Sequence, residues 1–164
     1  MTLKQFPSYD GTSPSRLDMS AIEQPTGYEY LQMVAELVEH QRLLKNRVWD
    51  MSAVVTTNGS NVSDVAISCL DNDGDLLAGA HVFELWLSDS ASGAGLTATT
   101  ASGTVTVKSA SGEVIGTLTA KKSLIVQTLA TGIFTLEITD TAKTAFKVCA
   151  KIPGNGLTKV VTTL

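Results

Sequence analysis

Residues 132–140 read GIFTLEITD. Successive side chains of an extended chain point to opposite faces, so Phe134, Leu136 and Ile138 share one face while Thr135, Glu137 and Thr139 share the other. An apolar face backed by a wet one is the pattern of a strand half-buried against a core. Val105 and Val107 repeat it against Thr104, Thr106 and Lys108. In FELWL, residues 83–87, the odd positions point together, which leaves Trp86 beside Glu84 on an exposed or interfacial face.

Working outward from this segment, period-2 patterns predict strands over residues 53–57, 62–70, 80–88, 103–109, 113–118, 123–128, 133–139, 145–152 and 157–163. Turn chemistry fills nearly every gap between them, as in Asn58-Gly59, Asp73-Gly74, Ser111-Gly112, Thr131-Gly132 and Pro153-Gly154-Asn155-Gly156. Seven to nine short strands at this spacing predict a β-sandwich or barrel over residues 52–164. With 164 residues the chain accommodates one such domain and an appendage of roughly fifty residues.

Residues 28–51 lose Pro and Gly and fill with Glu, Leu, Gln, Ala, Arg and Met, which are good helix formers. Thr26 and Glu29 form a candidate capping box, and basic residues gather late, where the helix dipole prefers them. Tyr30, Val34, Leu37, Gln41, Leu44, Val48 and Met51 recur at spacings of 4, 3, 4, 3, 4 and 3. That is a three-heptad seam with one polar layer, and it predicts a coiled-coil stalk holding a homotrimer, with a dimer as the alternative. A broader stripe that adds Leu31, Met33, Val38 and Leu43 would instead lay the helix on its own sandwich. Residues 1–27 hold three of the four prolines and no sustained period. They read as an extended arm, with Phe6, Tyr9 and Ile22 as candidate anchors for a partner.

The formal net charge is −4, and neither half of the chain carries a basic face able to follow a phosphate backbone. The beginning lacks a positive segment followed by an apolar one, and no apolar run approaches a membrane span. The expectation is a soluble protein made in the cytoplasm, without nucleic-acid or membrane partners.

The run CLDNDGDLLAGAHVFELWLSD, followed by LATGIFTLEITDTAKTAFKVCAKIPGNG, resembles bacterial and phage immunoglobulin-like domains. Asp71, Asp73, Gly74, Leu77 and Gly79 match their inter-strand turn, and Gly132, Phe134, Leu136, Ile138 and Asp140 match a later strand. More narrowly, residues 60 to 156 are similar to small proteins encoded among the virion structural genes of tailed bacteriophages. The resemblance implies a mainly β, immunoglobulin-like sandwich and a virion component, a capsid decoration or head-fibre protein whose partners are its own copies and other virion proteins. Cys69, Trp86 and Cys149 follow the order of antibody-type domains, but Asp140 lies nine residues before Cys149, which breaks the usual corner spacing. Two buried free thiols are the ordinary reading, and a disulfide is the alternative.

Asp71, Asp73 and Asp75 have the opening spacing of a calcium loop, yet Gly74 comes too early and Val82 stands where a bidentate Glu is needed. The segment reads as a turn. His40 and His81 are the only histidines, too few for a His-rich metal site, and nothing in sequence joins His81 to Cys149 as base and nucleophile. No cofactor, metal site or catalytic constellation is expected. The expected function is that of a structural protein. A carbohydrate- or receptor-binding module is the alternative, marked by an exposed Trp86 or Tyr in a groove.

Overall fold

The computed structural model describes residues 27–59, 61–142 and 144–164, without the side chains of Tyr28 and Leu44. The candidate anchors Phe6, Tyr9 and Ile22 and the candidate cap residue Thr26 lie outside the described residues. Among the described residues, one helix, α1 (Gly27–Lys45), precedes nine strands: β1 (Asp50–Asn58), β2 (Val62–Leu70), β3 (Val82–Ser88), β4 (Val105–Val107), β5 (Glu113–Thr119), β6 (Ser123–Gln127), β7 (Ile133–Thr139), β8 (Lys147–Lys151) and β9 (Thr158–Thr163). The chain divides into two compact units at Leu37/Val38, within α1. No described helix is long and apolar enough to cross a membrane.

The strands form two antiparallel sheets, ordered β1-β2-β7-β4 and β5-β6-β3-β8-β9. Alternation turns into register. Ile67 sits opposite Phe134 and Val65 opposite Leu136, so the apolar faces of β2 and β7 coincide. On the other sheet Phe83 and Leu85 align with Val126 and Leu124. These inner faces make one shared core, an arrangement consistent with a β-sandwich. Phe83 of one sheet meets Phe134 of the other edge to face, with centroids 6.3 Å apart and planes at 83°. Each such side chain contributes about 1.5–3 kcal/mol by leaving water.

The helix is shorter than its seam predicts. It stops at Lys45, where Asn46 N–H still donates to Arg42 O at 3.1 Å, and the chain then turns into β1. Val48 and Met51, the last two seam residues, are 4% and 0% exposed within the core between the sheets, so neither belongs to a stalk. The cause is the composition of the segment that follows: Val54, Val55, Thr56 and Thr57 are β-branched and favour a strand, and nine consecutive residues pair with β2 without interruption. Tertiary pairing therefore overrides the local helical period over residues 46–51.

Turns close the ends of the strands where the glycines predict. At Gly132, φ is +81°, and a Cβ there would lie 2.0 Å from Leu77 O. Its backbone accepts from Cys69 N–H at 3.0 Å and donates to Leu129 O at 2.9 Å, so the β6–β7 turn locks against the end of β2.

Candidate self-association site

α1 presents exposed apolar side chains. Tyr30 is 57% and Leu37 60% exposed, and Leu31, Met33, Val34, Val38 and Leu43 are exposed as well. Gln41 is exposed at its place in the seam, while the side chain of Leu44 lies outside the described residues. The surviving seam is thus Tyr30, Val34, Leu37 and Gln41, flanked by Leu31 and Val38 one position further on. The polar side of the same helix carries the ion pair of Arg42 with Glu39 at 2.8 Å, both largely in solvent. An isolated helix of this length is marginal in water, and burying the apolar stripe is the usual source of its stability.

Trp86 is not the exposed platform its alternation predicts. It does point to the outer face of its sheet, away from the core, but it is only 8% exposed. The segment between β3 and β4 folds back over it, and the indole Nε1–H donates to Gly93 O at 2.9 Å. Asp89 anchors that segment: its carboxylate accepts from Thr97 Oγ1 and from Ala98 N–H, both at 2.7 Å. The backbone N–H of Ala98, then the Thr97 hydroxyl, hold the Asp89 carboxyl below its ordinary range. The side chains of Glu84, Lys151 and Thr158 leave a shallow depression beside this cover. Sequence reading missed the cover because residues 89–104 show only turn chemistry, with no apolar period to mark what they pack on.

Register sets Cys149 beside Trp86, on the same outer face, while Cys69 points into the core with Ile67 and Val65. Both thiols are free. Lying on opposite sides of a sheet, they cannot bond to one another. Burial pushes the Cys69 thiol up to about 12, and it pushes the Cys149 thiol up to about 11 against a small opposing pull from Lys147. His81 precedes β3 by one residue and stands five residues from Trp86, about 16 Å along an extended chain. Its ring lies 3.3 Å from Leu77 O. The structure does not bring Cys149 and His81 together as nucleophile and base.

The acidic turn is likewise a folding element. Asp71 Oδ1 accepts from the backbone N–H groups of Asp73 at 2.9 Å and Asp75 at 3.0 Å, and Asp73 pairs with Lys45 at 3.0 Å. Gly74 supplies the positive φ of +85° that the reversal needs. Among the described residues, no group of three or more His, Cys, Asp or Glu side chains is placed to hold a metal ion.

Compared with known proteins, the chain matches no family model, no curated protein and no solved structure.

Proposed function

We propose that the protein is a non-catalytic structural module that assembles with copies of itself through α1 and serves as a capsid decoration or head-fibre component of a virion. The observation that carries the self-association is the unburied apolar stripe of the helix, Tyr30, Val34, Leu37 and Val38 above all. A parallel homotrimer buries such a stripe against its own copies and leaves the charged side, with Glu39 and Arg42, in water. The virion setting rests on the turn and strand signatures of residues 60 to 156 and on an arm before the helix that would dock on a shared surface. Weak anchors on a repeating lattice gain avidity from linkage.

We further read the sandwich as immunoglobulin-like, and the strand orders support that reading. The order β1-β2-β7-β4 fills the places of strands A, B, E and D, and β5-β6-β3-β8-β9 those of C″, C′, C, F and G in a variable-type sandwich. The chain visits the three middle places in reverse, taking β4 before β5 and β6. Trp86, one of the two marks of the receptor-binding alternative, is covered and offers that reading no platform.

Light scattering of the purified protein tests the assembly. The wild type is expected at three times the 17.3 kDa chain mass. The double substitution Tyr30→Asp with Leu37→Asp should give a monomer with unchanged β-sheet circular dichroism. A wild-type monomer at micromolar concentration would end this reading. Mass spectrometry of purified particles tests the setting, with many copies per head expected.

A further inference from the structure

Asp64 of β2 points to the outer face of the β1-β2-β7-β4 sheet, yet it is only 3% exposed. Its Oδ2 takes the ammonium of Lys108 and the carboxamide N–H of Asn58. Its Oδ1 is buried and, among the described residues, has no hydrogen-bond partner. A buried carboxylate with one oxygen unsatisfied is costly and calls for an explanation.

Register supplies the neighbourhood. Glu137 of β7 is directly opposite Asp64, and Thr106 of β4 is directly opposite Glu137. Side chains at opposed positions share a face, with Cβ atoms about 5 Å apart. Lys108 follows Thr106 by two residues and remains on the ladder, its N–H donating to Thr135 O at 2.9 Å, so it lies on that face too. Its side chain crosses β7 to reach Asp64. An amine and a carboxyl in contact thereby share one face, across three adjoining strands, with a second carboxylate at the opposed position.

We propose that Lys108 and Asp64 condense to an intramolecular isopeptide bond that ties β4 to β2 across β7. Passing one proton from the ammonium to the carboxylate gives an amine and a carboxylic acid. The Nζ lone pair attacks Cγ, Glu137 carries one nitrogen proton to the Oδ2 hydroxyl, and the Cγ–Oδ2 bond breaks to release water. One amide forms, one water is lost, and no oxidant or reductant takes part. Fixed proximity replaces the activation an intermolecular amide synthesis needs. The product also accounts for the orphan oxygen: both charges vanish, and Oδ1 becomes a neutral amide carbonyl, far cheaper to bury than a carboxylate. The link joins positions 44 residues apart and secures β4, a three-residue strand at the sheet edge. It would constrain the unfolded chain as a disulfide does, without depending on redox conditions.

Denatured full-length protein, cleaved after glutamate and read by mass spectrometry, tests for the bond directly. Cleavage separates Asp64, in residues 40–84, from Lys108, in residues 85–113. The expected result is a branched peptide uniting the two, lighter than their sum by one water, with fragmentation placing the branch at Asp64 and Lys108. Lys108→Arg should give only linear peptides, and Glu137→Gln should slow the appearance of the branched one. Intact mass alone is not enough, because Asp73-Gly74 can lose water through a succinimide. Wild-type protein yielding only the two linear peptides overturns the proposal. A branched peptide lighter by ammonia, joined through Asn58, overturns it equally and would make Asp64 the proton relay. Because the wild-type peptides alone distinguish these outcomes, the test does not depend on any variant folding.

Discussion

Asp140, just past the end of β7, is a charged residue that the fold buries deliberately. Its carboxylate accepts the backbone N–H groups of Ser102 at 3.0 Å, Ala142 at 3.3 Å and Thr144 at 2.7 Å, gathering the segments before β4 and after β7. Burial pushes the carboxyl upward, but the N–H groups of Ser102 and Thr144 outweigh it and hold the group well below its ordinary range. A carboxyl depressed in the folded state stabilises fully at neutral pH. That contribution drains away once the pH falls below about 4, the unfolded value, toward the folded one. Urea titrations should therefore show stability falling from about pH 4 downward, with a shallower fall in Asp140→Asn. At neutral pH, Asp140→Ala should cost about 1–3 kcal/mol by leaving those donors unpaired. Gly132 makes a steric counterpart. Gly132→Ala combines a positive φ with a Cβ driven into Leu77 O, so a loss above about 1 kcal/mol is expected in the same titration.

Among the elements, α1 and β1 trade residues that one periodicity cannot apportion. A 4-3 spacing runs unbroken from Tyr30 to Met51, yet Leu37 is exposed on a helix and Met51 is fully buried next to a strand partner, Cys69. In the Tyr30→Asp, Leu37→Asp background, Met51→Ala should cost about 2–5 kcal/mol of unfolding free energy. Val34→Ala in that background should change it by less than about 0.5 kcal/mol. Equal effects would mean that helix and sheets share a core. The strands were legible because alternation and turn residues agree: Phe134, Leu136 and Ile138 are buried and flanked by Gly132 and Asp140, as the sequence of β7 predicts. The end of α1 was not, because Val48 and Met51 satisfy a heptad seam and a core strand equally well, and only pairing with β2 decides. Nor could sequence show the site around Asp64. Asp64, Glu137 and Lys108 look like an ordinary wet face until register sets them side by side across three strands.

At the scale of the whole molecule, the two cysteines report on two different depths of stability. Cys69 is enclosed by both sheets, so a reagent reaches it only when the core comes apart. Cys149 lies outside its sheet and is closed off by the segment after β3: a Cβ on Gly93 would sit 3.0 Å from its Sγ. That segment is held by the Asp89 contacts with Thr97 and Ala98, by Lys122 Nζ donating to Thr97 O at 2.7 Å, and by the Trp86 indole. Such a cover opens locally at a lower free energy than the core. In native protein an aromatic disulfide reagent should label Cys149 first and Cys69 only at the rate of global unfolding, both slowly near neutral pH because burial disfavours their thiolates. Asp89→Ala removes two anchors of the cover and should speed labelling of Cys149 on the order of tenfold while leaving Cys69 unchanged. Reductant should not move the thermal midpoint, since no bond joins the two sulfurs. Simultaneous labelling of both cysteines, in the wild type and in Asp89→Ala alike, would mean that the cover and the core unfold as one, and that Trp86 is sealed by the sandwich itself.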